Sequence, residues 1–381
     1  MKEIDKTLLK KNIESIASYD LSRNKVFGSA YLVFQNNETV YKNSFGYTNL
    51  SKKTPVGEKT LFRLASMTKP ITAVAALILV ERGLIDLYDT VEKYLPEFSD
   101  IKIISPDSNG NFTVISEPSK KVRIINLLNH TSGIGTNPEK MQLMTDNDRK
   151  STDNFLSFLL KHGLDFEPET RQAYSGTGAF QVLVKIIEKV TKTDYQTFLK
   201  EEIFKPLDMN DTDFIPNETQ WKEFISLHNQ RNGENIEEVT EKNCIFRNFP
   251  CTHCLGGAGL FSNLEDYSKF AKFLLNDGKI GDKQLIKPET LRLMRTPQVS
   301  ENIMGGNERW GLGVRVITSP DYGNLPVGTY GWSGAFGSHF WIDIENKIAA
   351  VFMKNSLFDG GSANESARNF EKAVNDSLIT Q

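Results

Sequence analysis

The chain has 381 residues, of which 39% are hydrophobic and 24% are charged, and its formal net charge at pH 7 is −3. These values are ordinary for a globular protein with a sizeable core, and the lack of a long basic block argues against a nucleic-acid partner. Residues 1–20 are charged and amphipathic without an apolar secretory core, so we expect a cytoplasmic protein with no membrane partner.

The N-terminal part predicts a helix, a hairpin and a second helix. Apolar residues spaced three and four apart predict the first helix over residues 2–19. Residues 26–34 and 39–46 have the composition of two strands, and the polar residues 35–38 predict the turn that joins them.

Residues 61–80, which read LFRLASMTKPITAVAALILV, predict the buried helix around which the chain is organised. From Pro70 to Val80 every residue except Thr72 is apolar, which is typical of a helix inside a domain core. Proline has no N–H to donate and belongs in a first helical turn, so the helix is expected to begin close to Ser66. Gly83 predicts its C-terminal end.

Ser66 and Lys69 form a Ser-x-x-Lys pattern at the start of this helix. Residues three apart lie on one helix face with Cβ atoms about 5–6 Å apart, so the two side chains can meet. A lysine amine whose pKa is lowered by burial can take the proton of a serine nucleophile, and free N–H groups at the helix start can hold an oxyanion. The same stretch also fits an N-cap serine beside a solvated lysine.

The rest of the chain predicts one domain of the α+β class. Residues 85–254 are expected to form a mostly helical lobe, and residues 1–84 and 255–381 a lobe in which both ends of the chain complete one antiparallel sheet. The individual elements are a ribbon or surface excursion in 101–122, helices at 122–129, 153–162, 178–192, 195–203, 264–276, 288–295 and 364–377, and strands at 311–317, 328–332, 338–344 and 348–355.

Three cysteines, Cys244, Cys251 and Cys254, lie close together in the sequence. The C-x-x-C spacing of the last two fits a redox pair or half of a metal site. No second C-x-x-C occurs, and the adjacent His253 and Cys254 are poorly placed to reach one ion. We therefore expect reduced thiols, no metal and no cofactor.

Several segments, taken in chain order, resemble the serine β-lactamase and penicillin-binding-protein superfamily, in its class-C-like and family VIII carboxylesterase branch. The first is Ser66-Met67-Thr68-Lys69, which matches the first motif of that family. The others are LLNHTSGIG at 127–135, Tyr174-Ser175-Gly176 in place of Tyr-x-Asn, the glycine-rich 256–260, and Trp332-Ser333-Gly334 in place of Lys-Thr-Gly. The resemblance covers residues 25–355 and implies a β-lactamase-like fold, an antiparallel sheet flanked by helices with a mostly helical second lobe inserted.

The resemblance also implies roles for individual residues. Ser66 is implied to be the acylated nucleophile, with Lys69 and Tyr174 handling its proton. The backbone N–H groups of Ser66 and Ala335 are implied to form the oxyanion hole, and water then hydrolyses the acyl-enzyme.

Two departures from the family pattern shift the expected substrate. Gly176 removes the amide of the second motif, and Trp332 replaces a lysine that would face a substrate carboxylate. An aromatic wall suits an apolar or aromatic group, so we predict hydrolysis of short-chain or aromatic carboxylic esters. Gly176, Trp332, Gly334 and His339 are the predicted substrate-binding residues.

Three other hypotheses compete with the esterase prediction. A Ser-His-Asp hydrolase is disfavoured because no G-x-S-x-G elbow occurs and His339 follows Ser333 too soon. A β-lactamase or D-amino-acid peptidase with a variant third motif remains open. A non-catalytic binding module is opposed by the intact Ser66, Lys69 and Tyr174.

Overall fold

A computed structural model describes residues 1–51, 53–107, 110–231, 234–238, 244–247, 249–250 and 253–380. The helices are α1 (Lys6–Ser22), α2 (Thr68–Glu81), α3 (Val91–Tyr94), α4 (Ile124–Leu128), α5 (Pro138–Gln142), α6 (Thr152–His162), α7 (Gly178–Thr191), α8 (Tyr195–Leu199), α9 (Leu264–Leu275), α10 (Pro288–Arg295) and α11 (Glu365–Asn375). The strands of the main sheet are β1 (Gly28–Gln35), β2 (Glu38–Gly46), β3 (Glu308–Trp310), β4 (Arg315–Ile317), β5 (Tyr330–Ser333), β6 (His339–Asp343) and β7 (Ile348–Met353).

The main sheet has seven strands in the order β3-β4-β5-β6-β7-β1-β2, and every neighbouring pair is antiparallel. Strand β1 pairs with β7, so both ends of the chain complete one sheet, as the sequence predicts. The hairpin between β1 and β2 turns at Asn36 and Asn37, whose φ angles of 50° and 67° are left-handed conformations that asparagine tolerates. The predicted α+β fold is confirmed.

The two faces of the sheet bury different helices, because side chains alternate along each strand. On one face, Trp341 of β6 and Phe352 of β7 pack with Phe370 of α11 in a core that also includes α1. On the other face, Phe340 packs with Tyr267 of α9 in the larger core that contains α2. The sheet therefore lies between two layers of helices.

Helix α2 is buried from Thr68 to Leu79, as its apolar composition predicts. It begins after a short 3-10 turn, Ala65–Met67, and Gly83 follows its end with a φ of 68°. Ser66 lies in the turn rather than in the helix itself. Ala65 has a φ of 46°, a left-handed conformation that costs alanine about 1–2 kcal/mol, so the backbone immediately before Ser66 is strained.

The segment between α2 and α9 contains α3 to α8 and several short ribbons. The predicted ribbon in 101–122 is confirmed as Ile103–Pro106 paired with Phe112–Ser116. The ribbon of Leu227–Arg231 and Glu234–Glu238 was not predicted, because its polar sequence lacks an alternating apolar pattern. The remaining paired segments are Glu3–Ile4 with Leu378–Ile379, Phe62–Arg63 with Phe261–Ser262, Cys244–Phe246 with Phe249–Pro250, and Lys279–Ile280 with Lys283–Gln284.

The prediction of one strand over residues 311–317 is wrong. Residues 311–314 form the turn of a hairpin between β3 and β4, and Gly313 has a φ of 71°. A Cβ at Gly311 would lie 2.0 Å from the Met294 carbonyl oxygen, so the turn packs tightly on α10. The apolar residues of this stretch therefore belong to a buried turn and to part of β4.

Of the C-x-x-C cysteines, which are expected to be reduced thiols, the structure describes only Cys254. Cys251 lies outside the described residues, so a pair with Cys254 is not tested. The Cys254 sulfur lies 3.9 Å from Gln196 Oε1, and burial raises the pKa of this thiol. Within the described part of the chain, none of the helices is long and apolar enough to cross a membrane.

Candidate active site

Ser66 and Lys69 meet as their spacing predicts. The Lys69 Nζ lies 3.3 Å from the Ser66 Oγ, and neither residue is more than 8% exposed. The contact is local because the 3-10 turn runs directly into α2 and keeps both residues on one face.

The Lys69 amine is held by two backbone carbonyl groups from distant parts of the chain. Its Nζ donates to Gly176 O at 2.6 Å and to Gly257 O at 2.8 Å, and it lies over the ring of Tyr174 at 4.8 Å. Among the described residues no carboxylate forms an ion pair with Lys69, and burial is the one influence on its pKa. Burial without a counter-charge lowers the pKa of Lys69 well below its usual value.

The carbonyl groups of Gly176 and Gly257 form a cradle that occupies the N–H donors of the Lys69 amine. A neutral amine has two N–H donors, and the two carbonyl groups accept both of them. The lone pair of the neutral amine is then left for its third polar neighbour, Ser66 Oγ at 3.3 Å. The arrangement can accept the proton of the Ser66 hydroxyl group.

Tyr174 lies beside both Lys69 and Ser66. Its hydroxyl group accepts a hydrogen bond from Trp332 Nε1 at 3.1 Å and lies close enough to Ser66 for that residue to influence its pKa. Burial raises the pKa of Tyr174 to about 12, although Ser66 and Trp332 act in the opposite direction. Tyr174 is therefore a neutral phenol at physiological pH, able to donate a proton but poorly suited to remove one.

An aromatic cluster of Trp310, Trp332, His130 and Tyr174 encloses this side of the site. The Trp310 ring centroid lies 4.5 Å from that of Trp332 and 4.3 Å from that of His130. His130 Nδ1 accepts the Ser175 N–H at 3.1 Å, while burial and the nearby Lys69 lower the pKa of its ring, so it is a neutral brace for the Tyr174 segment. Trp310 was not among the predicted site residues, because it belongs to no motif and lies in a stretch without strand periodicity.

The loop after β5 brings a free backbone donor to the site. A Cβ at Gly334 would lie 2.3 Å from the Leu64 carbonyl oxygen, so only glycine allows the loop to approach the segment before Ser66 this closely. Ala335 follows at once, and within the described chain its N–H has no backbone or side-chain acceptor. This placement suits a donor to an oxyanion.

Of the predicted substrate-binding residues, Trp332, Gly334 and Gly176 lie at the site, the last through its carbonyl group. His339 does not. It pairs with Ser333 across β5 and β6 and shares the face of Trp341, so it faces α11. The prediction that His339 lines the cleft is corrected.

His339 instead completes a buried chain of polar groups. Its Nδ1 lies 2.8 Å from Ser333 Oγ and its Nε2 lies 3.0 Å from Glu371 Oε1. The residue types are those of a Ser-His-Glu hydrolase, but in a triad the serine contacts Nε2 and the acid contacts Nδ1, the reverse of the arrangement here. The three residues are also only 3%, 1% and 1% exposed and lie between the sheet and α11. A substrate cannot reach these three side chains, so their hydrogen-bonded network stabilises the fold.

Comparisons with known proteins agree with the geometry. Residues 12–374 match the Beta-lactamase family. Esterase EstB of Burkholderia gladioli is 26% identical over 388 residues, covering 94% of this chain and 93% of EstB. Penicillin-binding protein 4* of Bacillus subtilis (strain 168) is 34% identical over 192 residues, covering 49% of this chain and 38% of that protein.

The same fold occurs among solved structures. EstCE1, described as a hydrolase with promiscuous acyltransferase activity, superimposes with a TM-score of 0.82 over 97% of this chain and 99% of that chain, at 22% sequence identity. The family match, which extends over nearly the whole chain, identifies this protein as a serine hydrolase of the beta-lactamase family.

Proposed function

We propose that the protein hydrolyses short-chain or aromatic carboxylic esters through an acyl-Ser66 intermediate. The observation that carries this proposal is the position of Trp332, whose indole N–H is bonded to Tyr174 and whose ring packs on Trp310. The side chain offers an apolar wall and no cation, so a neutral acyl or alcohol group fits there better than a carboxylate. The similarity to EstB supports the same substrate class.

In the proposed acylation step, Ser66 Oγ attacks the ester carbonyl carbon while neutral Lys69 takes its proton. The oxyanion accepts hydrogen bonds from the N–H groups of Ser66 and Ala335, which typically contribute about 3–4 kcal/mol each to lowering the barrier. As the C–O bond to the alcohol breaks, the phenol of Tyr174 protonates the leaving oxygen and the Lys69 ammonium returns a proton to Tyr174. Both groups then regain their starting protonation states.

Deacylation uses the same groups in reverse. A water molecule replaces the departed alcohol and attacks the acyl carbon. Its proton passes to the Tyr174 oxygen as the proton of the phenol passes to neutral Lys69, so Lys69 is the base. The bond between Ser66 Oγ and the acyl carbon breaks, and the serine takes back the proton. The carboxylic acid is released, and no metal or organic cofactor takes part in the proposal.

A β-lactamase or D-amino-acid peptidase activity is the second candidate. The observation that favours it is the 34% identity with Penicillin-binding protein 4* over about half of this chain. Wild-type protein and the Ser66→Ala variant should therefore be compared on p-nitrophenyl acetate, p-nitrophenyl butyrate, nitrocefin and a D-alanyl-D-alanine peptide.

We expect the wild-type protein to turn over the two esters at least about 100-fold faster than nitrocefin or the peptide, and Ser66→Ala to lose this activity. Cleavage of nitrocefin or the peptide faster than of the esters would instead support β-lactamase or D-amino-acid peptidase activity. Ester turnover that survives in Ser66→Ala would show that another residue is the nucleophile. A protein that hydrolyses none of the four and does not label with a fluorophosphonate would be a binding module.

Gly257→Ala tests the carbonyl cradle of Lys69. A Cβ at this position would lie 2.9 Å from Gly176 O, 3.1 Å from Thr177 Cα and 3.3 Å from Lys69 Nζ, so the methyl group displaces the amine. We expect kcat/KM for p-nitrophenyl butyrate to fall about 10- to 100-fold, because small displacements of reacting groups are costly. Gly57→Ala is the control, since a Cβ there meets nothing within 4 Å. Equal activity of the two variants would contradict a role for the cradle.

A further inference from the structure

We infer that Asn355 is a positioning residue that aligns the two halves of the oxyanion hole. This inference rests on the proposed function. Asn355 lies two residues after β7, and its side chain does not reach the Ser66–Lys69–Tyr174 cluster. It belongs instead to the 354–361 loop, which touches the segment before Ser66 and the segment that carries Ala335.

The first contact is with the chain before Ser66. Asn355 Oδ1 accepts the Arg63 N–H at 3.0 Å, and Asn355 Nδ2 donates to Arg63 O at 3.1 Å. The Asn355 amide thus makes the two hydrogen bonds that a neighbouring strand would make, and it holds both the backbone N–H and the backbone carbonyl group of Arg63 in place. The strained Ala65 and the nucleophile Ser66 follow within three residues, so their orientation depends on this clamp.

The second contact is with the loop that carries Ala335. The Ser356 N–H donates to Phe336 O at 2.8 Å, and the Gly361 N–H donates to Gly334 O at 3.2 Å. A Cβ at Gly360 would lie 2.1 Å from Ala335 O, so the two loops are in direct backbone contact on either side of the free Ala335 N–H. One loop therefore fixes both donors, Ser66 N–H and Ala335 N–H, relative to each other.

The clamp has its own buried support. Lys354 is fully buried and its Nζ lies 2.5 Å from Asp359 Oδ2, an ion pair that closes the 354–361 loop. Asp359 also accepts from Ser366 Oγ at 2.7 Å and from the Glu365 N–H at 3.1 Å, which ties the loop to the start of α11. The charge of Lys354 lowers the pKa of Asp359 although burial alone would raise it, so the carboxylate is ionised at neutral pH.

Asn355→Leu removes the clamp with little change in volume. In this variant the Ser66 and Ala335 N–H donors are displaced rather than deleted. We therefore expect kcat for p-nitrophenyl butyrate to fall about 10- to 100-fold, with KM changed less than about twofold. The kcat value is normalised to the Ser66 sites titrated with a fluorophosphonate, so loss of folded protein does not count. The midpoint of the pH–rate profile should stay in place, because Lys69 keeps its two carbonyl partners.

Asn346→Leu is the matched control. Asn346 is also a buried asparagine, and it accepts the Lys2 N–H at 2.8 Å and donates to Asp343 Oδ2 at 2.7 Å in the turn at the other end of β6 and β7. It should lose stability and keep its normalised kcat. If Asn355→Leu does not fold, Asp359→Asn weakens the support and should show the same fall in kcat in milder form.

Two results would overturn the inference. One is an unchanged normalised kcat in Asn355→Leu, or in Asp359→Asn where that variant replaces it. The other is a shifted pH midpoint, which would place the effect on Lys69.

If the wild-type protein hydrolyses no ester, the proposed function fails, and the rate of fluorophosphonate labelling of Ser66 then tests Asn355 by itself. Equal labelling rates in wild type and variant would reject its positioning role, and a wild-type protein that does not label would reject both proposals.

Discussion

Replacement of Lys69 by methionine should lower kcat/KM for p-nitrophenyl butyrate by about 10³-fold at about pH 8, within the range that general bases contribute. Methionine fills the buried channel but cannot take the Ser66 proton, while Tyr174, whose pKa is raised to about 12, cannot replace it as a base. The double variant with Ser66→Ala should be no worse than Ser66→Ala alone, because residues that act as one unit are not additive.

The pH dependence of the wild-type protein follows from the same pKa shifts. Lys69 must be neutral to act, and its pKa lies well below 10.5 because it is buried. The value of kcat/KM should therefore rise with pH through a single ionisation below that value. It should then stay level until the phenol of Tyr174 ionises near pH 12.

Lys272→Met is the control for the loss of a lysine. Lys272 lies on α9, and its ammonium is 4.7 Å from the centroid of the Phe34 ring on β1. Burial lowers the pKa of Lys272 as well, but this residue has no contact with Ser66. This variant should keep the wild-type pH profile. A Lys69→Met protein that retains more than about a tenth of wild-type kcat/KM would show that Lys69 is not the base.

Glu371→Gln should lower the free energy of unfolding by about 3–5 kcal/mol at about pH 7, the cost typical of breaking a buried ion pair. Glu371 is 1% exposed, and its carboxylate accepts from His339, from Arg315 at 3.3 Å and from Arg368 at 3.1 Å. The amide of glutamine cannot match these donors, and Arg315, itself 4% exposed, loses one of its two carboxylate partners. Urea denaturation of both proteins measures the difference.

The difference should also depend on pH. Burial alone would raise the pKa of Glu371, but its hydrogen bond with His339 and the charges of Arg315 and Arg368 lower it below 4.5. A lowered pKa means that the carboxylate contributes fully to the free energy of unfolding above its ordinary pKa of 4.5, and that this contribution is lost as the pH falls from there through the lowered pKa of the folded state. The difference in the free energy of unfolding between wild type and Glu371→Gln should become smaller at acidic pH. A gap that is constant with pH, or one no larger than that of the exposed Glu345→Gln, would contradict this account.

The sequence by itself determined much of the framework. The all-round apolar composition of α2, the turn-forming asparagines between β1 and β2, and the spacing of Ser66 and Lys69 are local properties, and each corresponds to a local feature of the structure. They are readable because helix and strand periodicities depend on neighbouring residues only. The same reasoning failed at 311–317, where the apolar side chains fill a buried turn and the glycines form its backbone.

The tertiary structure alone decided the chemistry of Lys69 and the side on which His339 lies. The carbonyl groups that hold Lys69 belong to residues 107 and 188 positions away, and their placement depends on the whole path of the chain. His339 was misplaced because alternation fixes the face of each residue within a strand, whereas the loop 334–338 sets how β6 is registered against β5. Long-range contacts and register depend on packing, and no local pattern in the sequence encodes them.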